Sequence, residues 1–136
     1  MKVVVIDGQG GKMGQIIIER IRGLQISCEL IAIGTNSIAT STMIKAGADA
    51  GATGENPVIV ACRSADVIIG PIGIISADSL LGEITPAMAV AVGQSAAKKL
   101  LIPVNLCSNI IIGTMSLQFG KLIDEAADEL CKLIAP

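Results

Sequence analysis

Histidine, tryptophan and tyrosine are absent from this sequence of 136 residues, and Phe119 is its only aromatic residue. Without histidine, the chain lacks the commonest general base and the base of Ser-His and Cys-His nucleophile pairs. Without stacking aromatics, it has no platform for the bases of single-stranded nucleic acid. Any catalysis would therefore depend on carboxylates, lysine or a bound cofactor.

An excess of basic charge is also missing, because 10 lysines and arginines face 12 aspartates and glutamates, for a net charge of −2. The two signs are interspersed, so no basic stripe is available for a phosphate backbone, and we predict no nucleic-acid partner. The four cysteines form no C-x-x-C pair and have no histidine to complete a zinc site. We expect buried free thiols and no metal centre from these cysteines: Cys28, Cys62, Cys107 and Cys131.

Long apolar runs are missing too, although 51% of the residues are hydrophobic. The longest candidate, Val67 to Ile75, is interrupted by glycine and proline, far short of the ~18 residues of a membrane helix. The first seven residues do not resemble a signal peptide, so we expect a cytoplasmic protein without a membrane partner. Self-association is the simplest explanation of the apolar excess, as a homodimer or higher homo-oligomer with contacts in 73–81 and 87–97.

The chain begins with a continuous β-branched run, typical of a strand buried on both faces of a parallel sheet, and short apolar runs recur along it. They predict strands over Lys2–Ile6, Cys28–Ile33, Ala65–Gly70 and Lys98–Val104, with helices between them. Asn109–Gly113 follows the fourth run too closely for a helical crossover, and we predict an antiparallel edge strand there. Gly51–Glu55 has no such run and is predicted as a loop. The clearest helix is the last, from Phe119 to Ile134, with an apolar stripe opposite its charges.

This alternation predicts one α/β domain over residues 1–136, a Rossmann-like three-layer sandwich. Its mostly parallel sheet has about five strands.

A glycine-rich turn leads from the first strand into the first helix, where backbone N–H groups and the helix dipole attract anions. Glycines there allow a tight turn and a close approach of a phosphate to the backbone. The candidate binding residues are those of the whole turn: Asp7, Gly8, Gln9, Gly10, Gly11, Lys12, Met13 and Gly14.

With Lys12-Met13 before the last of its glycines, this turn resembles the nucleotide loop of dihydrodipicolinate reductases and is similar to that of prephenate dehydrogenases. The resemblance is confined to the turn, and the chain lacks the separate substrate domain of those enzymes. It implies binding of a pyrophosphate, with NAD or NADP as the cofactor, and it implies no particular reaction.

Asp7 leaves two alternatives open. Its carboxylate would repel a phosphate unless a cation such as Mg²⁺ bridged the two, or it could cap the first helix and take the place of the anion. Beyond the second strand, an acid usually binds the ribose hydroxyls of a dinucleotide. Here Gly34-Thr35-Asn36-Ser37 occupies that place, which adds Thr35, Asn36 and Ser37 as candidate contacts. A nucleotide, another anionic or polar ligand and a plain tight turn all remain compatible with the sequence.

Further loops follow the carboxyl ends of the other predicted strands, where open α/β sheets bind ligands. Gly70, Pro71 and Gly73 are candidates for a close backbone approach, and a turn at Asn105 lies at the same edge. Three loop acids, Glu55, Asp78 and Glu83, are placed for acid–base work, but no spacing pairs them. We therefore predict no catalytic residue.

Several motifs together carry a resemblance over nearly the whole chain. They are V-I-D-G-Q-G-G at 5–11, G-T-N-S-I-A-T-S at 34–41, G-A-D-A-G-A-T-G-E-N at 47–56, D-V-I-I-G-P-I-G-I at 66–74 and L-G-E-I-T-P at 81–86. They resemble a family of short bacterial proteins known only as a domain of unknown function. The sequence thus favours a nucleotide-binding or NAD(P)-binding protein. The alternative is a non-enzymatic oligomeric or interaction protein on a degenerate Rossmann scaffold.

Overall fold

The computed structural model describes residues 1–104 and 108–135. Strands and helices alternate along these residues, and a short 3-10 helix at Ile72–Ile75 follows the fourth strand. The elements are β1 (Lys2–Asp7), α1 (Lys12–Gly23), β2 (Glu29–Gly34), α2 (Ser37–Lys45), β3 (Ala50–Thr53), α3 (Glu55–Cys62), β4 (Val67–Pro71), α4 (Pro86–Gln94), β5 (Lys98–Ile102) and α5 (Phe119–Ile134).

The five strands form one sheet in the order β3-β2-β1-β4-β5, and every neighbouring pair is parallel. β1 lies at the centre, with Val3 level with Leu30 of β2 and with Val67 of β4. The direction of winding reverses between β1 and β4, which makes the carboxyl ends of these two strands the topological switch point. The glycine turn follows β1 at this position.

Two apolar clusters cover the two faces of the sheet, because successive side chains of a strand point to opposite faces. Val3 and Val5 pack in the cluster beneath α1, α2 and α5. Val4 and Ile6 pack in the cluster beneath α3 and α4. All four side chains are fully buried, and burial of each contributes about 1.5–3 kcal/mol. The predicted three-layer α/β arrangement with five strands is confirmed.

Two predicted elements differ from the structure, both outside the central strands. Residues 51–53, predicted as part of a loop, belong to the edge strand β3, whose A-G-A-T sequence is mostly exposed and contains no β-branched run. The antiparallel strand predicted at Asn109–Gly113 is wrong, since residues 109–111 belong to no strand, residues 112 and 113 form a turn, and the Thr114 amide donates to the Ile111 carbonyl. The five described strands are therefore all parallel.

Three of the four cysteines lie within the described residues. Cys62 is buried, Cys28 and Cys131 are partly exposed, and all three are free thiols, so the expectation of full burial is correct for one of them. Cys107 lies outside the described residues. Within residues 1–104 and 108–135, no three His, Cys, Asp or Glu side chains group as metal ligands. No helix in those ranges has the length and apolar character needed to cross a membrane.

Candidate functional site

Asp7 ends β1 and turns its carboxylate into the glycine turn. Its Oδ1 accepts the Gly8 N–H and its Oδ2 accepts the Gly14 N–H, each at 2.8 Å. Gly14 is the third residue of α1, and its N–H is one of those that a helix leaves without an intrahelical acceptor. The carboxylate therefore caps α1 from inside the turn. Of the two alternatives for Asp7, the structure shows the cap.

Asp7 is only 6% exposed, and this burial affects its pKa. Burial raises its pKa, the hydrogen bonds from the Gly14 and Gly8 amides lower it, and the charge of Glu83 raises it again. The net effect is a pKa above the ordinary value, because desolvation outweighs the two amide donors. Ionisation of the Asp7 carboxyl is thus less favourable in the folded protein than in water.

The glycines of the turn serve packing as much as ligand access. Gly11 adopts a φ of 73°, and a Cβ there would lie 2.8 Å from the Ala39 backbone. A Cβ at Gly14 would overlap the thioether of Met43. Both glycines therefore let α1 approach α2 closely. Gly10 differs, because a Cβ there would meet nothing within 4 Å, and its backbone is open to the surroundings.

A second carboxylate lies beside the same turn. Glu83 Oε1 accepts the Thr35 hydroxyl at 2.8 Å and the Asn36 side-chain amide at 2.6 Å. Both Glu83 oxygens lie 3.1 Å from the Gln9 amide, which donates to them. The carboxylate thereby bridges the turn after β1 and the end of β2. We call Gln9, Thr35, Asn36 and Glu83 the polar cluster.

Opposing effects set the acidity of Glu83. Burial on its own would raise its pKa, but hydrogen bonds from Asn36, Thr35 and Gln9 together outweigh that effect and lower the pKa below its ordinary value. Hydrogen bonds to the charged form stabilise that form. These bonds therefore favour the ionised form of Glu83, which is a partly exposed acceptor.

A folded loop between the 3-10 helix and α4 delivers Glu83 to this place. The Asp78 amide donates to the Ile84 carbonyl at 2.7 Å, and the Ile84 amide donates to the Ser79 carbonyl at 3.2 Å. Asp78, Leu80 and Leu81 all have φ between 55° and 65°, in the left-handed region that non-glycine residues rarely adopt. This loop, 76–84, is thus held in one shape by its own backbone.

The predicted contacts Thr35 and Asn36 belong to the polar cluster, whereas Ser37 begins α2 as an exposed residue with no bond to the cluster. Asn36 also caps α2, since its Oδ1 accepts the Ala39 amide at 2.9 Å. Its side-chain amide donates to the Gln9 carbonyl at 2.9 Å as well. The residues after β2 therefore connect to the turn after β1 directly.

The predicted contacts near β4 serve mainly the fold. A Cβ at Gly70 would overlap the Ile6 carbonyl, and one at Gly73 would lie 3.1 Å from Ser79 Oγ. Ser79 donates its hydroxyl to the Gly73 carbonyl, so Gly73 makes room for the 76–84 loop. Pro71 is the buried last residue of β4. The turn predicted at Asn105 lies outside the described residues.

Within the glycine turn, Met13 and Lys12 have different surroundings. Met13 packs in the core cluster beneath α1, so its side chain is structural. Lys12 is exposed and is the only cation between positions 7 and 14. Among the described residues, the amides of Gly10 and Lys12 have no acceptor. These two N–H groups and the Lys12 ammonium are therefore available to an anionic ligand.

Glu83 is the residue of this site that sequence reasoning did not select as a binding residue. Its position in the loop after β4 placed it at the carboxyl edge, and that was the available signal. Its bond partners are 47 and 48 residues away at Asn36 and Thr35, and 74 residues away at Gln9. Local spacing carries no information about such contacts.

Comparisons with known proteins identify a family. The model for a domain of unknown function, DUF3842, matches residues 2–135. No curated protein matches the sequence. Among solved structures, the chain is similar to a dodecameric FMN-dependent Ubix-like decarboxylase from Escherichia coli O157:H7. Their identity is 13%, the TM-score is 0.46, and the match covers 100% of this chain and 95% of that one. Because the family model spans almost all of the sequence, this chain belongs to the DUF3842 family of domains of unknown function.

Proposed function

We propose that the edge of the sheet formed by the ends of β1 and β2 binds a ribonucleotide, with NAD or NADP as its dinucleotide form. The observation that carries the proposal is the polar cluster, in which the glycine turn and the end of β2 share one carboxylate. In open α/β sheets, ligands bind outside the carboxyl ends of the strands at the switch point. The cluster lies beside that point.

The donors left in the glycine turn suit the phosphates of such a ligand. The Gly10 and Lys12 amides are adjacent to the start of α1, where the helix dipole favours negative charge. The open space around Gly10 permits a phosphate to approach the backbone. Lys12 adds an exposed positive charge at the same position. Because the Gly14 N–H already donates to the Asp7 carboxylate, we expect fewer phosphate contacts than in a turn without this acid.

Nucleotide binding is tested by the thermal stability of the purified protein with NAD⁺, NADP⁺, ATP, GTP and FMN, each with and without Mg²⁺. A ligand at a hundred times its dissociation constant adds ~2.7 kcal/mol to the free energy of unfolding, which gives a clear shift of the melting temperature. The protein has no tryptophan or tyrosine, so a co-purified nucleotide would also dominate its absorbance near 260 nm. No shift with any of the five compounds would contradict the proposal.

A pair of glycine substitutions locates the site. Gly10→Glu places a negative charge beside the turn at a position where a Cβ would meet nothing within 4 Å, and it should abolish the ligand-induced shift by repulsion of the phosphates. Gly120→Glu is the matched control, because Gly120 in α5 also has open space around its Cβ position. Equal shifts in the two variants would place the ligand elsewhere.

A second candidate function, self-association, rests on a separate observation. Ile110, Ile112 and Met115, which are close together in the chain, are 73%, 90% and 87% exposed. Apolar side chains grouped in this way on a surface commonly mark an interface. We propose that the segment 110–115 joins copies of the chain into a homodimer or higher homo-oligomer. A cytoplasmic location and a single domain over 1–136 stay predictions.

Light scattering at micromolar concentration tests self-association. We expect a mass above that of the 13.8 kDa monomer and a shift toward the monomer for Ile112→Ser. The matched control is Ile38→Ser, which removes another exposed isoleucine, 69% exposed, on α2. A monomeric mass for the unchanged protein would reject this second function.

A further inference from the structure

We infer that the Glu83 carboxylate accepts a hydrogen bond from the ribose hydroxyls of the nucleotide, so that the site binds NAD-type ligands and rejects those with a 2′-phosphate. The inference rests on the proposed nucleotide binding and specifies its ligand class. The acid in question, Glu83, belongs to the 76–84 loop and not to β2.

Position and partners support this role. The residue that follows β2 is Thr35, which has no charge, but its hydroxyl holds the Glu83 carboxylate at the end of that strand. An acid at the end of the second strand is the usual partner of the ribose 2′-hydroxyl in dinucleotide sites. In this chain the 76–84 loop therefore supplies to that place the carboxylate that β2 does not.

The two Glu83 oxygens are unequally used. Oε1 accepts from Thr35, Asn36 and the Gln9 backbone amide, whereas Oε2, within the described part of the chain, accepts only from the Gln9 backbone amide, which it shares with Oε1. A carboxylate has about four lone-pair positions over its two oxygens. Oε2 thus retains capacity for a further donor, and a ribose hydroxyl is such a donor. The bonds to Oε1 fix the carboxylate in advance, which lowers the entropy lost on binding.

Charge explains the rejection of a 2′-phosphate. The phosphate would add negative charge beside Glu83, whose own charge already raises the pKa of the nearby Asp7 carboxyl. Sites that accept a 2′-phosphate usually provide an arginine. The arginines of α1 face other partners, since Arg20 bonds Asp124 and Arg22 bonds Asp49. Lys12 is the only basic residue in the segments 7–14, 34–37 and 70–84 that form this edge.

The experiment measures by calorimetry the dissociation constants of NAD⁺ and NADP⁺ for the unchanged protein, for Glu83→Gln and for Asp78→Asn. Glu83→Gln keeps the side-chain size and one acceptor oxygen but removes the charge. Asp78→Asn is the matched control, because it neutralises an exposed acid of the same loop, and asparagine tolerates its φ of 65°. Melting temperatures of all three proteins establish that they are folded.

We expect the unchanged protein to bind NAD⁺ at least tenfold more tightly than NADP⁺. Glu83→Gln should weaken NAD⁺ binding about tenfold, the size expected for one charge-assisted hydrogen bond. It should leave NADP⁺ binding unchanged or stronger, and Asp78→Asn should alter neither constant. A second pair of probes, ADP and 2′-deoxy-ADP, should show the same preference for the hydroxyl.

Three results would overturn the inference while the proposed function stands: equal affinity for NAD⁺ and NADP⁺, tighter NAD⁺ binding by Glu83→Gln, or equal effects of the two substitutions. Tighter binding by Glu83→Gln would mean that the carboxylate occupies the place of a ligand anion. Failure of the unchanged protein to bind any of the four probes would instead reject nucleotide binding itself, and the inference with it.

Discussion

Asp7 and Glu83 are two carboxylates at one edge of the sheet, and their surroundings give them opposite properties. Asp7 is 6% exposed and accepts two amides of its own turn. Glu83 lies on a partly exposed loop and accepts from residues that are 47 to 74 positions away. Burial dominates the first and raises its pKa, whereas hydrogen bonds dominate the second and lower it. The same chemical group thus builds the turn at one position and is presented at the surface at the other.

The largest expected difference between them is in stability. Asp7→Ala leaves the buried Gly8 and Gly14 amides without an acceptor, and each unsatisfied buried donor costs about 1–3 kcal/mol. We therefore expect a loss of about 3 kcal/mol in the free energy of unfolding, measured by urea denaturation with far-ultraviolet circular dichroism. Glu83→Ala should lose less than half as much, because water can replace its bonds. Equal losses would remove the distinction between the two acids.

Two neighbouring glycines extend this contrast to the backbone. Gly11→Ala should lower the free energy of unfolding by about 2 kcal/mol, because the new methyl group meets the Ala39 backbone at a positive φ. Gly10→Ala is the matched control and should change it by no more than about 0.5 kcal/mol. The same denaturation assay compares them, and a similar loss in both variants would show that the turn packs differently from this description.

The two acids should also give stability opposite slopes with pH. The folded protein holds a proton on Asp7 more tightly than the unfolded chain does, so this group lowers stability as pH rises from its ordinary pKa to the raised one. For Glu83 the unfolded chain holds the proton more tightly. Its contribution is present above the ordinary pKa and is lost as pH falls through the lowered pKa.

Urea midpoints between about pH 3 and pH 7, a range that brackets ordinary carboxyl pKa values, separate these effects. Stability of Asp7→Asn should rise more steeply with pH than that of the unchanged protein above about pH 4. Stability of Glu83→Gln should rise less steeply below about pH 5. Slopes that change in the same direction would contradict the opposite pKa shifts.

The smallest expected effect concerns a single donor of the polar cluster. Thr35→Val removes the hydroxyl that Glu83 accepts, so the pKa of Glu83 should move up toward its ordinary value. The free energy of unfolding should change by less than about 0.5 kcal/mol. Carbon-13 NMR of the carboxyl group follows this titration, with Thr42→Val in α2 as the control. An unchanged pKa of Glu83 would mean that its other donors suffice.

The central part of the fold could be predicted from the sequence because burial leaves a clear pattern. Residues 3–6 form a continuous β-branched run, since β1 is covered on both faces and paired on both edges. The edge strand β3 leaves no such pattern, because its A-G-A-T sequence is mostly exposed. The antiparallel strand expected at 109–113 followed from connection length alone, which does not require that a segment join the sheet.

The position of the glycine turn could be predicted from the sequence, but which group accepts the N–H groups at the start of α1 could not. The sequence left open whether Asp7 caps α1 or repels a ligand, because either outcome depends on where two carboxylate oxygens point. Glu83 could not be assigned, since it reaches the cluster through the 76–84 loop. That loop contains three non-glycine residues at positive φ, and no periodicity predicts such a conformation.

The central position of the first strand also orders assembly in time. β1 leaves the ribosome before its partners and can pair with β2 once Gly34 has emerged, but its other edge waits for β4, which ends at Pro71. Until then an apolar strand with an open edge is exposed to other nascent chains. Between the emergence of residue 34 and that of residue 71, β1 is therefore paired on one edge only, and this is the interval in which wrong strand pairing is most favoured.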